Sequence, residues 1–206
     1  MNPEIEALLQ SCTGADDVEH MATLQSLWSG YGSLDRYRLS GARRRSVIVK
    51  HIRFPDDAIV SGTHPRGWGG NRSDSRKRRS YEVETHWYRH WSAACHAGCR
   101  VPECLAVETH DNDILIVLED LVDSGFSPTP GHITHAAVTQ GLSWLAGFHA
   151  QFMNREPTGL WPVGTYWHLD TRPDEWHNLK DRRLQDAAHR LDQILSKAPY
   201  NTLVHG

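Results

Sequence analysis

The sequence predicts an α+β fold: an N-terminal antiparallel sheet lobe with one main helix, then a partial helical C-terminal lobe. Three observations carry this. The β-branched runs, Val47-Ile48-Val49 and Ile114-Leu115-Ile116-Val117-Leu118, fall in the first 120 or so positions. Only one long helical pattern, 80–94, interrupts them. After the turn-rich stretch 125–131 the apolar spacing becomes helical over 132–153 and 174–197.

The elements follow in order. Asn2-Pro3-Glu4 reads as an N-cap, a first-turn proline and an acidic first turn, opening a short helix over 3–10. From Thr23, Leu24 and Leu27 lead into the turn Ser29-Gly30-Tyr31-Gly32-Ser33. A strand with Leu34, Tyr37 and Leu39 comes next, then a turn at Ser40-Gly41-Ala42 and a buried strand Val47–Ile52 ending near Lys50. This is an antiparallel meander. Positions 55–75 are rich in Gly, Pro, Asp, Asn and Ser and read as a long polar loop. The basic run Arg76-Lys77-Arg78-Arg79 leads into the helix over 80–94, whose Tyr81, Glu84, Tyr88 and Trp91 share one face. Strands over 105–108 and 114–118 flank a turn at His110-Asp111-Asn112-Asp113. Helices are expected over 132–153, with a stripe of Ile133, Ala137, Gly141, Leu145, Phe148 and Phe152, and over 174–197, with Leu184, Ala188, Leu191 and Leu195. The tail 201–206 reads as a strand-like stub. The domain boundary is placed so that 1–121 forms the first lobe and 122–206 begins the second.

Composition bounds the function. The 206 residues are 39% hydrophobic and 23% charged, with a formal net charge of -3, which fits a globular protein and argues against a dedicated nucleic-acid or membrane-surface binder. The apolar runs are far too short to span a bilayer, and the acidic N-terminus is unlike a signal peptide, so a cytoplasmic location is expected. Four cysteines fit a reducing compartment. Cys95, Cys99 and Cys104 cluster around His96, but their spacing matches no paired C-x-x-C pattern, and no metal site is assigned. His86 and His90 stand four apart on the helix without an evident third ligand; among fourteen histidines such a pair arises by chance.

The residues that could carry chemistry suit a polyphosphate. A glycine turn, Gly30-Tyr31-Gly32-Ser33, lets backbone approach phosphate oxygens closely. Lys50, on a rigid neighbouring strand, supplies a positive charge, and Glu84 on the next helix can hold that ammonium by a charge-assisted bond. Each has a plainer reading: a connecting turn, a solvated strand terminus, a surface glutamate. The basic run likewise reads first as a solvated face, and less readily as a patch for nucleic acid or an acidic partner. Their joint order raises the phosphate reading above these.

That order resembles the kinase-like small-molecule phosphotransferases, the superfamily of choline kinases and aminoglycoside phosphotransferases, and most closely its ecdysteroid-kinase-like branch. The resemblance runs through Trp28-Ser29-Gly30-Tyr31-Gly32, Val47-Ile48-Val49-Lys50, Arg76-Lys77-Arg78-Arg79-Ser80-Tyr81-Glu82-Val83-Glu84 and Leu118-Glu119-Asp120-Leu121. It continues in Trp144-Leu145-Ala146-Gly147-Phe148-His149-Ala150, Gly164-Thr165-Tyr166-Trp167-His168-Leu169 and Leu203-Val204-His205-Gly206. It implies a protein-kinase-like fold and ATP-dependent transfer of the γ-phosphoryl group to a hydroxyl of a small molecule, with ATP and Mg2+ as cofactors; the composition already argues against nucleic acid and membrane as partners. The backbone from Gly30 to Ser33 would cover the phosphates. Lys50 would contact the α- and β-phosphates, paired by Glu84, with Glu82 as the fallback. The segment Glu119-Asp120-Leu121 would hold adenine through the backbones of Glu119 and Leu121. His205 and Gly206 would open the catalytic loop, His205 in a structural role. The aromatic segment 161–168 is read mainly as lobe packing and secondarily as part of an acceptor pocket.

In that family an Asp and an Asn follow the His-Gly pair and a later Asp joins in holding magnesium; none of these is in the 206 residues. The expectation is therefore an N-terminal portion that binds nucleotide and alone transfers nothing, with apolar helix faces left open and a tendency to self-associate. A catalytically inactive nucleotide-binding fragment or pseudokinase is the alternative. Neither the acceptor nor the oligomeric state is legible.

Overall fold

In the computed structural model the described residues are 2–27, 30–54, 71–126, 132–164, 169 and 173–204, with the side chains of 71–74 excluded. The chain divides into two compact units, one of residues 1–96 and 100–134, the other of 97–99 and 135–206.

The first unit is α+β. Helix α1 (Pro3–Thr13) starts where Asn2 Oδ1 accepts the Glu4 N–H at 3.0 Å, and stops at Gly14, whose φ of 72° suits the left-handed cap. Strands β1 (Asp17–Ser26), β2 (Gly32–Ser40) and β3 (Ser46–Arg53) form the expected meander. Helix α2 (Asn71–His90) follows, then β4 (Cys104–His110) and β5 (Asp113–Glu119). All pairings are antiparallel, in the order β1-β2-β3-β5-β4, so β3 is central.

Strand alternation gives the sheet two apolar faces. Val47 and Val49 join Tyr37, Leu39, Leu115 and Val117 under Leu8 and Leu9 of α1. Ile48 and Ile52 join Ile114, Ile116 and Leu118 on the other face, with Tyr81 of α2 and Tyr31 of the glycine turn. Ile52 and Ile116 are fully buried, and truncating either to Ala is expected to cost about 2–5 kcal/mol.

Helix α2 begins at Asn71, earlier than the expected start near 80, so the basic run Arg76-Lys77-Arg78-Arg79 lies inside the helix instead of leading into it. Lys and Arg are good helix formers, and their polarity, which suggests loop, does not oppose helix. The helix ends at His90, with a separate 3-10 turn at Ser92–Ala94, so Trp91 falls beyond it.

The second unit holds α3 (His135–Gln151), α4 (Pro173–His177) and α5 (Arg182–Ser196). Of the expected stripe in and around α3, only Phe148 and Phe152 are buried; their rings lie 4.9 Å apart. Gly147 passes so close to the 97–99 segment that a Cβ there would stand 2.6 Å from the Gly98 carbonyl oxygen. The single expected helix over 174–197 is two helices. Asp181 caps the second, its carboxylate accepting Leu184 N–H at 3.1 Å, and this cap was not recognised in the sequence. Leu184, Leu191, Ile194 and Leu195 on α5 are all exposed. The tail is not a strand: over 201–204 it has no regular structure, bonding through Asn201 to Asn154 and through Thr202 to the His149 carbonyl. Among the described residues no helix is long and apolar enough to cross a membrane.

Candidate functional site

Lys50 lies within β3, three residues before its end, opposite Leu34 on β2 and Ile116 on β5. It shares the α2 face with Ile48 and Ile52 and is no solvated terminus: its side chain is 17% exposed. An ammonium there needs a partner. Glu84 supplies it from α2, with both carboxylate oxygens accepting from Lys50 Nζ, at 2.6 and 2.7 Å. Glu82, the fallback, points elsewhere and pairs with Arg79 at 3.0 Å on the exposed side of the helix.

An aromatic trio stands beside this pair. Tyr31, Phe54 and Tyr81 have ring centroids 5.9 to 6.1 Å apart. Tyr31 is the middle residue of the glycine turn, so the trio ties that turn to α2. Lys50 Nζ lies 5.4 Å and Lys77 Nζ 4.8 Å from the Tyr81 centroid, and Arg78 lies 4.8 Å from that of Phe54. Lys77 is a site residue that the sequence reading did not single out. Its signal in the sequence is its place one helical turn before Tyr81.

The glycine turn is held by its own backbone. Leu27 N–H donates to the Gly32 carbonyl and Gly30 N–H to that of Leu27, at 2.8 and 3.2 Å. The two glycines differ. Gly30, at φ 76°, has open space where a Cβ would stand. Gly32, at φ 130°, would place a Cβ 1.9 Å from the His51 carbonyl oxygen. Gly32 is therefore needed for β2 to lie against β3, while Gly30 leaves an approach open. The Ser33 hydroxyl turns away from Lys50, to the opposite face, and donates to Asp35. There Asp35 also accepts from Thr23 at 2.5 Å and lies 3.2 Å from His20 Nε2. Burial raises the Asp35 carboxyl, and the bonds from Ser33, Thr23 and His20 with the His20 charge outweigh this and hold it below its usual range.

At the end of β5 the side chains of Glu119 and Asp120 are buried and structural. Glu119 takes Arg100 at 2.6 Å, the Glu103 N–H at 3.0 Å and the Ser124 hydroxyl. Asp120 takes Ser46 at 2.8 Å and Val122 N–H at 3.0 Å. Arg36 reaches Asp120 through Nη2 at 3.3 Å, while its Nε, 2.7 Å from the other oxygen, is off the hydrogen-bond line. The Glu119 N–H is spent on the Glu103 carbonyl at 2.8 Å. The Leu121 carbonyl accepts Phe126 N–H at 2.9 Å, and the Leu121 N–H has no hydrogen-bond partner among the described residues.

His205 and Gly206, and positions 165–168 of the aromatic segment, lie outside the described residues. Among the described residues no group of three or more His, Cys, Asp or Glu side chains could hold a metal ion, the His86–His90 pair at 4.4 Å included. In comparisons with known proteins, no family model and no curated protein matches the chain.

Proposed function

We propose that this chain carries the nucleotide-binding lobe of a protein-kinase-like phosphotransferase, which transfers the γ-phosphoryl group of ATP to a hydroxyl of a small molecule. The observation that carries the reading is the bidentate Lys50–Glu84 pair, spanning the central strand and helix α2, which packs on that face. A lysine held in this way has its ammonium fixed in direction, as binding a phosphate oxygen requires. The sheet order and the position of α2 between β3 and β4 support the same fold.

The residues present fit ATP in three respects. Gly30 leaves the turn open to close approach. Lys50 offers a cation. The Leu121 N–H, without a partner among the described residues, offers a donor at the end of β5, where the resemblance places adenine; the Glu119 N–H is already used, which narrows that role to its carbonyl. Bound ATP would supply the transferable phosphoryl group. Mg2+ finds no ligand cluster among the described residues, and no step is assigned to it.

The test has two arms. Calorimetric titration with ATP should show binding that Lys50→Met abolishes, with the fold retained by circular dichroism. Protein made from its native gene should transfer label from γ-labelled ATP to members of a panel of hydroxylated small molecules. Binding without transfer to any acceptor would favour an inactive nucleotide-binding protein. No binding of ATP would defeat both.

A further inference from the structure

Two ammonium groups gather around the Tyr81 ring, those of Lys50 and Lys77, at 5.4 and 4.8 Å from its centroid. Among the described residues the carboxylate beside them is that of Glu84, and both of its oxygens are engaged by Lys50. Among the described residues Lys77 has no carboxylate within ion-pair distance. Burial holds the Lys77 ammonium below its usual pKa, the Lys50 charge lowers it further, and Glu84 only partly opposes them. Half-buried cations of like sign, short of counter-charge, are costly to hold together. An anion that reached both would remove that cost.

We infer that Lys77 is a second anion-binding cation of this site, acting with Lys50 on a ligand that carries two or more linked phosphoryl groups. Such a ligand offers separate anionic oxygens to each ammonium. The Tyr81 ring, itself 3% exposed and packed among Tyr31 and Phe54, is the fixed surface against which both lysines are set. The inference concerns the charge of the ligand. Only its identification with ATP rests on the phosphotransferase reading.

The experiment compares wild type, Lys77→Met and Lys77→Arg in titrations with ATP, ADP, AMP, adenosine and inorganic tripolyphosphate. Lys77→Met should weaken ATP, ADP and tripolyphosphate by about tenfold or more and leave adenosine unchanged, and Lys77→Arg should recover much of the loss. In parallel, acetylation footprinting of the wild-type protein should show Lys77 modified when free and protected by tripolyphosphate, a readout that needs no variant to fold. If wild type binds ATP and Lys77→Met binds it equally well, with Lys77 unprotected, the inference is overturned while the phosphotransferase reading stands. Tripolyphosphate bound through Lys77 without any nucleotide binding would leave the two-lysine site and remove the nucleotide. Binding of none of these ligands would remove both.

Discussion

Lys50 Nζ lies 2.6 and 2.7 Å from the two oxygens of Glu84, a residue 34 positions away in the chain. The pair is partly buried, at 17% and 29% side-chain exposure, so losing one partner leaves a charge that water only partly repays. A double-mutant cycle with Lys50→Met and Glu84→Gln should therefore give a coupling of about 0.5–3 kcal/mol in thermal or denaturant unfolding. Additive single-variant effects would show that the contact carries no energy.

The two glycines of the turn should respond differently to alanine. Gly30→Ala meets open space and pays only for its left-handed backbone, about 1–2 kcal/mol. Gly32→Ala adds a collision with the His51 carbonyl and should cost on the order of 3 kcal/mol or more, or prevent folding. Urea midpoints of the two variants check this, and equal losses would contradict the close β2–β3 approach.

Glu119 links acid stability to one buried carboxylate. Burial raises its pKa, and the bonds from Ser124, Glu103 N–H and Arg100, with the Arg100 charge, more than offset this, so the folded value lies below the usual 4.5. The stabilisation is therefore fully present above about pH 4.5 and is lost as pH falls through the depressed folded value. Glu119→Gln should be destabilised at pH 7 and less so towards pH 3, when unfolding free energies are measured across that range. A pH-independent difference from wild type would refute the linkage.

Among the described residues the Thr85 hydroxyl, buried on α2, has no hydrogen-bond partner. Leaving such a group unsatisfied costs about 1–3 kcal/mol, and Val replaces it with a methyl of similar size. Thr85→Val should thus be neutral or raise the melting temperature. A clear loss of stability would mean that the hydroxyl is bonded in solution.

Much of the first unit was legible because strand and helix periods are local. The run Val47 to Ile52 reads as a buried strand from its β-branched residues; the fold shows it alternating between two buried faces, with Lys50 on the side of Ile48 and Ile52. The preference for Glu84 over Glu82 was legible for the same reason: at 3.6 residues per turn only Glu84 shares a face with Tyr81 and Tyr88. The start of α2 and the break between α4 and α5 were missed. A basic run and an aspartate cap look like loop when judged by polarity, yet the first is compatible with helix and the second starts one.

The kinds of element in the first unit, their order, and the shared face of Tyr81, Glu84 and Tyr88 on α2 could be read along the chain, since each depends on near neighbours. Tertiary structure alone decided that Glu82 turns to Arg79, that Lys77 comes to the same ring as Lys50, and that the Glu119 N–H is consumed by Glu103. The reason is physical. Periodicity says which side of an element is apolar, but which charges meet depends on how α2 crosses the sheet. That crossing is set by the packing of Tyr31, Ile52, Tyr81 and Ile116, residues far apart in sequence that come together only in the folded chain.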